Sequence, residues 1–136
     1  MKISLNNPPL SLREMCEAQF PLQGKCPVWT FGKTIYNPHK KDIPEDIFFH
    51  ESVHSERQDN PANWWERYLS NAQFRYEEEL VAYAAQYAFI KRHYPFKAHK
   101  EALFDLANNL ASMYNLDIPI PIAESTIRLT AKDMVK

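Results

Sequence analysis

The hydrophobic and polar positions of this chain change period as it runs. An aromatic and β-branched stretch comes first, and a series of helical patterns follows. Val28-Trp29-Thr30-Phe31 and Thr34-Ile35-Tyr36 flank Gly32-Lys33 and predict a hairpin or two short strands, closed by Asn37-Pro38. Residues 1–27 read as irregular, with Pro8, Pro9, Pro21 and Pro27 around one short helix at Ser11 to Ala18. From Asp42-Ile43-Pro44-Glu45 the pattern becomes helical to about Gln58. Asp42 is the expected cap, and Pro44 is tolerated in a first turn. Asn60-Pro61 opens a short helix through Trp64, Trp65 and Tyr68.

Ser70 and Gln73 have capping-box spacing and open a long helix from about Asn71 to His93, ended by Pro95. A further helix, about His99 to Asn115, repeats apolar residues at Leu103, Leu106, Ala107, Leu110 and Met113/Tyr114, the stripe of a core face. Ile118-Pro119-Ile120-Pro121-Ile122 alternates proline with isoleucine. It predicts that residues 118–136 form an extended tail along a surface groove. The fold class expected is α+β in one domain over residues 1–136, with a small sheet or hairpin packed on the helices.

Composition narrows the function classes. At 136 residues with 45% hydrophobic content, the chain is long enough for one core. A net charge of −1 offers no basic footprint for nucleic acid or a membrane surface. No apolar run reaches the roughly 18 residues of a membrane span, and the N-terminus lacks the apolar stretch of a secretory signal. Cys16 and Cys26 cannot build a four-sulfur zinc site; one disulfide or two buried thiols are open to them, and thiols in a reducing cytoplasm are the expected state.

The chemistry is concentrated in His50-Glu51-Ser52-Val53-His54. Residues four apart stack on one helix face, so His50 and His54 can converge on one metal ion. Glu51 between them is placed to take a proton from a zinc-bound water. A catalytic zinc needs a third protein ligand. The long motif with a third histidine fails, because Arg57 and Asn60 occupy its glycine and histidine positions, and His93 and His99 remain as later histidines. Glu79 is the stronger candidate. It lies about 25 residues beyond His54, enough for an antiparallel return, and Ala82 one turn later lets the helix backbone come close. Glu78 and Glu77 are the alternatives within the same acidic run.

Glu79-x-x-Ala82-Tyr83 downstream of His-Glu-x-x-His resembles the gluzincin arrangement, in which a second helix supplies a glutamate ligand. The stretch from Ile35 to Tyr87 is similar to small HEXXH metallopeptidases, many encoded by bacteriophages. In these an aromatic strand, a Tyr-Asn-Pro-like turn, the motif helix, a Trp-Trp segment and a Glu-Glu-x-x-Ala-Tyr helix follow in this order. The resemblance implies a minimal zincin-like fold, Zn2+ held by His50, His54 and Glu79, and Glu51 as general base of peptide hydrolysis. Glu56 departs from the usual apolar residue two positions after the second histidine.

The resemblance further implies a peptide or protein substrate, with phage structural proteins as further partners. The compartment implied is the host cytoplasm or the virion. Tyr83, Arg57 and His93 are the candidates to assist the oxyanion. Val28–Phe31 or Thr34–Tyr36 would pair with an extended substrate by strand addition. The alternative is a non-catalytic structural or regulatory protein, a virion component included, that keeps the zinc site for stability or binding. The Ile-Pro tail could also lie in the cleft and enforce latency.

Overall fold

The computed structural model describes residues 1–8 and 28–134, and these form a mixed, mostly helical α+β arrangement. The short helix expected at Ser11 to Ala18, together with Cys16 and Cys26, lies outside the described residues. Three strands form one sheet: β1 (Lys2–Ser4), β2 (Trp29–Phe31) and β3 (Thr34–Tyr36). The order is β1-β3-β2, with β1 parallel and β2 antiparallel to β3. The hairpin is as expected, and Gly32 turns it at φ +63°, a conformation that costs glycine little. Strand β1 corrects the reading of residues 1–27 as irregular apart from one short helix. Three residues are too short for a visible alternation, and pairing with β3 is what makes them a strand.

Five helices follow among the described residues: α1 (Glu45–Arg57), α2 (Pro61–Ser70), α3 (Ala72–His93), α4 (His99–Ser112) and α5 (Ile120–Met134). A single 3-10 turn, Phe96–Ala98, precedes α4. Asn60 caps α2 by accepting from the Asn63 amide, with Pro61 in the first turn as expected. Two caps differ from expectation. Asp42 does not cap α1, which starts from Pro44 without a side-chain cap and carries Glu45 and Asp46 in its first turn instead. Asn71, not Ser70, caps α3 by accepting from the Phe74 amide, while the Ser70 hydroxyl donates to the Glu66 carbonyl.

The main correction is the C-terminal segment. The extended tail expected over residues 118–136 is not what the described residues show, because Ile120–Met134 is a helix. The first amides of a helix have no intrahelical partner, so Pro121 in the first turn removes nothing the helix needs. The Pro119 carbonyl closes that turn, accepting from the amides of Ile122 and Ala123 at 3.1 and 3.0 Å. Beyond the prolines, Ala123, Ile127 and Ala131 recur every four residues and are fully or almost fully buried. They join Tyr83, Ala84, Tyr87 and Ile90 of α3 and Leu103, Leu106, Ala107 and Leu110 of α4 in the larger core. Helix α3 is therefore central, with α1, α2, α4 and α5 all packed against it.

A second, aromatic cluster of Trp29, Trp64, Tyr68 and Leu69 ties the sheet to α2. No helix among the described residues is long and apolar enough to cross a membrane.

Candidate metal centre

His50 and His54 sit one turn apart on α1, their ring centroids 4.9 Å from each other, facing α3. Glu79 meets them from α3. Its Oε1 lies 3.2 Å from His50 Nε2 and 3.1 Å from His54 Nε2, and all three side chains are buried. Ala82, one turn along α3, is wholly buried, so a side chain of minimal size stands where the two helices meet. One potential ligand atom from each residue falls within 4.8 Å of the others.

The same acidic run separates by function. Glu78 is also buried, but it pairs with Arg57, which donates from Nε at 3.0 Å to both oxygens and from Nη2 at 2.7 Å. Trp64 Nε1 adds a donor to Glu78 at 2.8 Å, so this carboxylate is satisfied away from the histidines. Glu77 is exposed and accepts from Gln73. Of the three, Glu77 alone faces solvent. His99 Nε2 bonds the Tyr94 carbonyl, and His93 is exposed against Phe89, so neither reaches the cluster.

The donor set fits a divalent cation. Ligand atoms at about 2.0–2.2 Å from a common tetrahedral centre stand roughly 3.3–3.5 Å apart, close to the spacing here. The hydrogen bonds argue the same way. Gln86 Oε1 faces His50 Nδ1 at 3.0 Å, while Gln86 Nε2 donates to Asp46 Oδ2 at 2.8 Å. With the amide so oriented, His50 donates from Nδ1 and a neutral ring turns its Nε2 lone pair on the Glu79 carboxylate. Two lone pairs in a buried site demand a proton or a metal between them. His54 Nδ1, buried with no hydrogen-bond partner among the described residues, leaves that ring equally dependent on what its Nε2 meets.

Without a metal, a proton takes that role. Burial alone would depress the His54 pKa, but the charge and hydrogen bond of Glu79, helped by Glu51 and Glu78, raise it from 6.5 to about 9. Glu79 is moved the opposite way. Burial favours its neutral acid, yet the two imidazoles hold it well below the usual carboxylate range. Tyr68 completes the Glu79 shell, its hydroxyl donating to Oε2 at 2.5 Å. Burial, reinforced by the Glu79 charge, pushes the Tyr68 phenol well above 10 and keeps it a donor.

Glu51 is half-buried on the cleft side of α1, where its Oε2 accepts from the Thr30 hydroxyl at 2.8 Å. The cleft, about 680 Å³, opens over His50, His54 and Glu79, and its walls include Trp29, Trp65, Ile43, Ile47 and Met113. Tyr83 lies in it with its ring 4.4 Å from that of His50, and its hydroxyl meets the Tyr114 hydroxyl at 2.5 Å. Burial raises both phenols well above 10, so both stay protonated. Of the three oxyanion candidates, Tyr83 is therefore in the cleft. Arg57 is committed to Glu78, and His93 is at the far end of α3.

Strand addition meets an obstacle. β3 is central, which leaves β2 as the candidate. On β2 the Thr30 carbonyl already accepts from Gln58 Nε2 at 3.0 Å and Trp65 Nε1 at 2.9 Å, and the Gly32 amide donates to Gln58 Oε1.

Thr30, Tyr68, Gln86 and Tyr114 were not among the sequence candidates. Gln86 had a signal, because Glu79, Ala82, Tyr83 and Gln86 fall on one helical face and a glutamine in such a stripe needs a polar partner. Thr30, Tyr68 and Tyr114 come from other elements and had none. Comparison of the chain with protein-family models, curated proteins and solved structures returns no match.

Proposed function

We propose that this chain is a zinc-dependent peptidase with a minimal, gluzincin-like zincin fold. The observation that carries the reading is the buried convergence of His50, His54 and Glu79 beneath an open cleft that also holds Glu51. A zinc ion bound there would supply Lewis acidity, bringing the pKa of water towards neutrality and drawing charge from a carbonyl. Glu51 would take the proton of the attacking water and return it to the leaving amine nitrogen. The Thr30 hydroxyl holds the Glu51 carboxylate in one orientation for both transfers.

Tyr83 and Tyr114 carry one proton each and share one hydrogen bond, so one proton of the pair is left to donate to a carbonyl oxygen as it gains charge. The apolar walls at Trp29, Trp65, Ile43 and Ile47 suit a bulky apolar side chain of a peptide substrate.

Metal analysis of the native protein, joined to cleavage of a peptide library, tests the reading. One zinc per chain and hydrolysis lost in Glu51→Gln with zinc retained are expected. Absence of stoichiometric zinc, or hydrolysis unchanged in Glu51→Gln, would falsify it. One observation favours a second reading, a zinc-binding structural or regulatory protein without turnover. The engaged Thr30 carbonyl withholds a main-chain acceptor that an extended substrate would use. On that reading the partners are structural proteins of a phage particle, as the sequence resemblance implies. Zinc would then be bound, His50→Ala would unfold the chain, and no peptide would be cleaved.

A further inference from the structure

We propose that Asp46, whose carboxylate bonds Gln86 and Tyr94, is a positioning residue that acts through Gln86 to fix the His50 tautomer whose Nε2 lone pair meets the metal. The inference rests on the metal reading above and adds to it a residue outside the ligand set.

The argument is one of donors and acceptors. A glutamine amide has one donating end and one accepting end, and an imidazole nitrogen can be either, so Gln86 and His50 alone permit two arrangements. Asp46 removes that freedom. Its carboxylate only accepts, and its two oxygens take Gln86 Nε2 at 2.8 Å and the Tyr94 hydroxyl at 3.0 Å. The amide must therefore turn its NH2 to Asp46 and its Oε1 to His50 Nδ1, 3.0 Å away. Nδ1 then carries the hydrogen, and Nε2 presents its lone pair where His54 Nε2 and Glu79 Oε1 converge. With a neutral side chain at position 46 the amide can turn over. His50 would then accept through Nδ1, placing a hydrogen on Nε2 where the metal must bind.

Position supports the assignment. Asp46 and His50 are one turn apart on α1, and Gln86 reaches both from α3, where it is 4% exposed. A buried glutamine makes a rigid bridge, since both ends of its amide are engaged.

The test uses the full chain, zinc itself and a competing chelator, with cobalt(II) absorption as the coordination signature and melting of the zinc-free protein as control. Asp46→Asn is expected to weaken zinc binding by about tenfold or more, the scale of changes to partners behind metal ligands. It should also shift the cobalt bands and leave zinc-free melting nearly unchanged. Gln86→Met, close in volume, should produce the same loss, and the double variant should lose no more than either single one. Tyr94→Phe leaves the Asp46 charge in place and should stay within about twofold of wild type.

Wild-type affinity and cobalt bands in Asp46→Asn overturn the inference while leaving the metal reading intact. A loss of affinity that only tracks lower zinc-free stability also overturns it. Should Asp46→Asn not fold, Gln86→Met decides the matter by the same criteria. Failure of the wild-type chain to take up zinc overturns the metal reading, and this inference with it.

Discussion

If the site takes zinc as proposed, the proton held between His54 and Glu79 should make its affinity a steep function of pH. In the metal-free protein His54 titrates at about 9, because the attraction of the buried Glu79 carboxylate outweighs the desolvation that would lower it. A metal must displace that proton to use Nε2. Two pH units below the titration, the competition weakens binding by about a hundredfold, or about 2.7 kcal/mol. Affinity should rise tenfold per pH unit from 6 to 8 and level off above about 9. Chelator competition, corrected for the chelator's own protonation, measures this directly. An affinity already flat between pH 7 and 9 would refute the reasoning, since it would put the His54 titration at or below its ordinary value.

The same linkage reaches zinc-free stability with a definite sign. The His54 pKa is raised on folding, so its contribution is complete below 6.5 and is lost as pH climbs through about 9. The Glu79 pKa is lowered, so its contribution is present above 4.5 and is lost as pH falls further. Zinc-free melting should therefore be highest between these limits and decline towards pH 9. Excess zinc should oppose that decline by mass action.

Three further outcomes are expected. Thr30→Val, which removes the donor to Glu51 at nearly constant volume, should lower hydrolysis about tenfold while zinc content stays at one per chain. Unchanged hydrolysis would mean that the Thr30 contact does not position the base. In steady-state kinetics, Tyr83→Phe and Tyr114→Phe should each cost little, because either hydroxyl retains a proton. The double variant should lose roughly a hundredfold in kcat with zinc retained, and a double variant as active as the singles would exclude the pair as donor. Deleting residues beyond Asp117 removes α5 and its three buried residues, so circular dichroism should show an unfolded chain. Ile127→Ala alone should cost about 2–5 kcal/mol. A folded, more active deletion would restore the idea of a latency tail.

Much of the architecture was legible in local patterns. The hairpin was marked by β-branched and aromatic residues around Gly32, and α2 by Asn60-Pro61. The α4 stripe was visible because period and caps are short-range properties. Helix α5 is masked by Pro119 and Pro121, which break a helix only beyond its first turn, although Ala123, Ile127 and Ala131 carry a helical repeat after them. Ala82 one turn on pointed to Glu79, but nothing local separated buried Glu78 from exposed Glu77. Consecutive residues on a helix face different neighbours, and those neighbours belong to α1, α2 and solvent.

Local spacing was enough to pick out the pair His50 and His54, the base candidate between them and the acidic run most suited to supply a partner. Spacing along one helix settles which side chains share a face. Packing between elements is what brings Glu79 to the imidazoles and turns Glu78 to Arg57 and Trp64. It alone joined Thr30 to Glu51, Tyr68 to Glu79, and Asp46 through Gln86 to His50. Those contacts cross between elements 11 to 40 residues apart in the chain. Their partners follow from how helices and sheet pack, which no local pattern records.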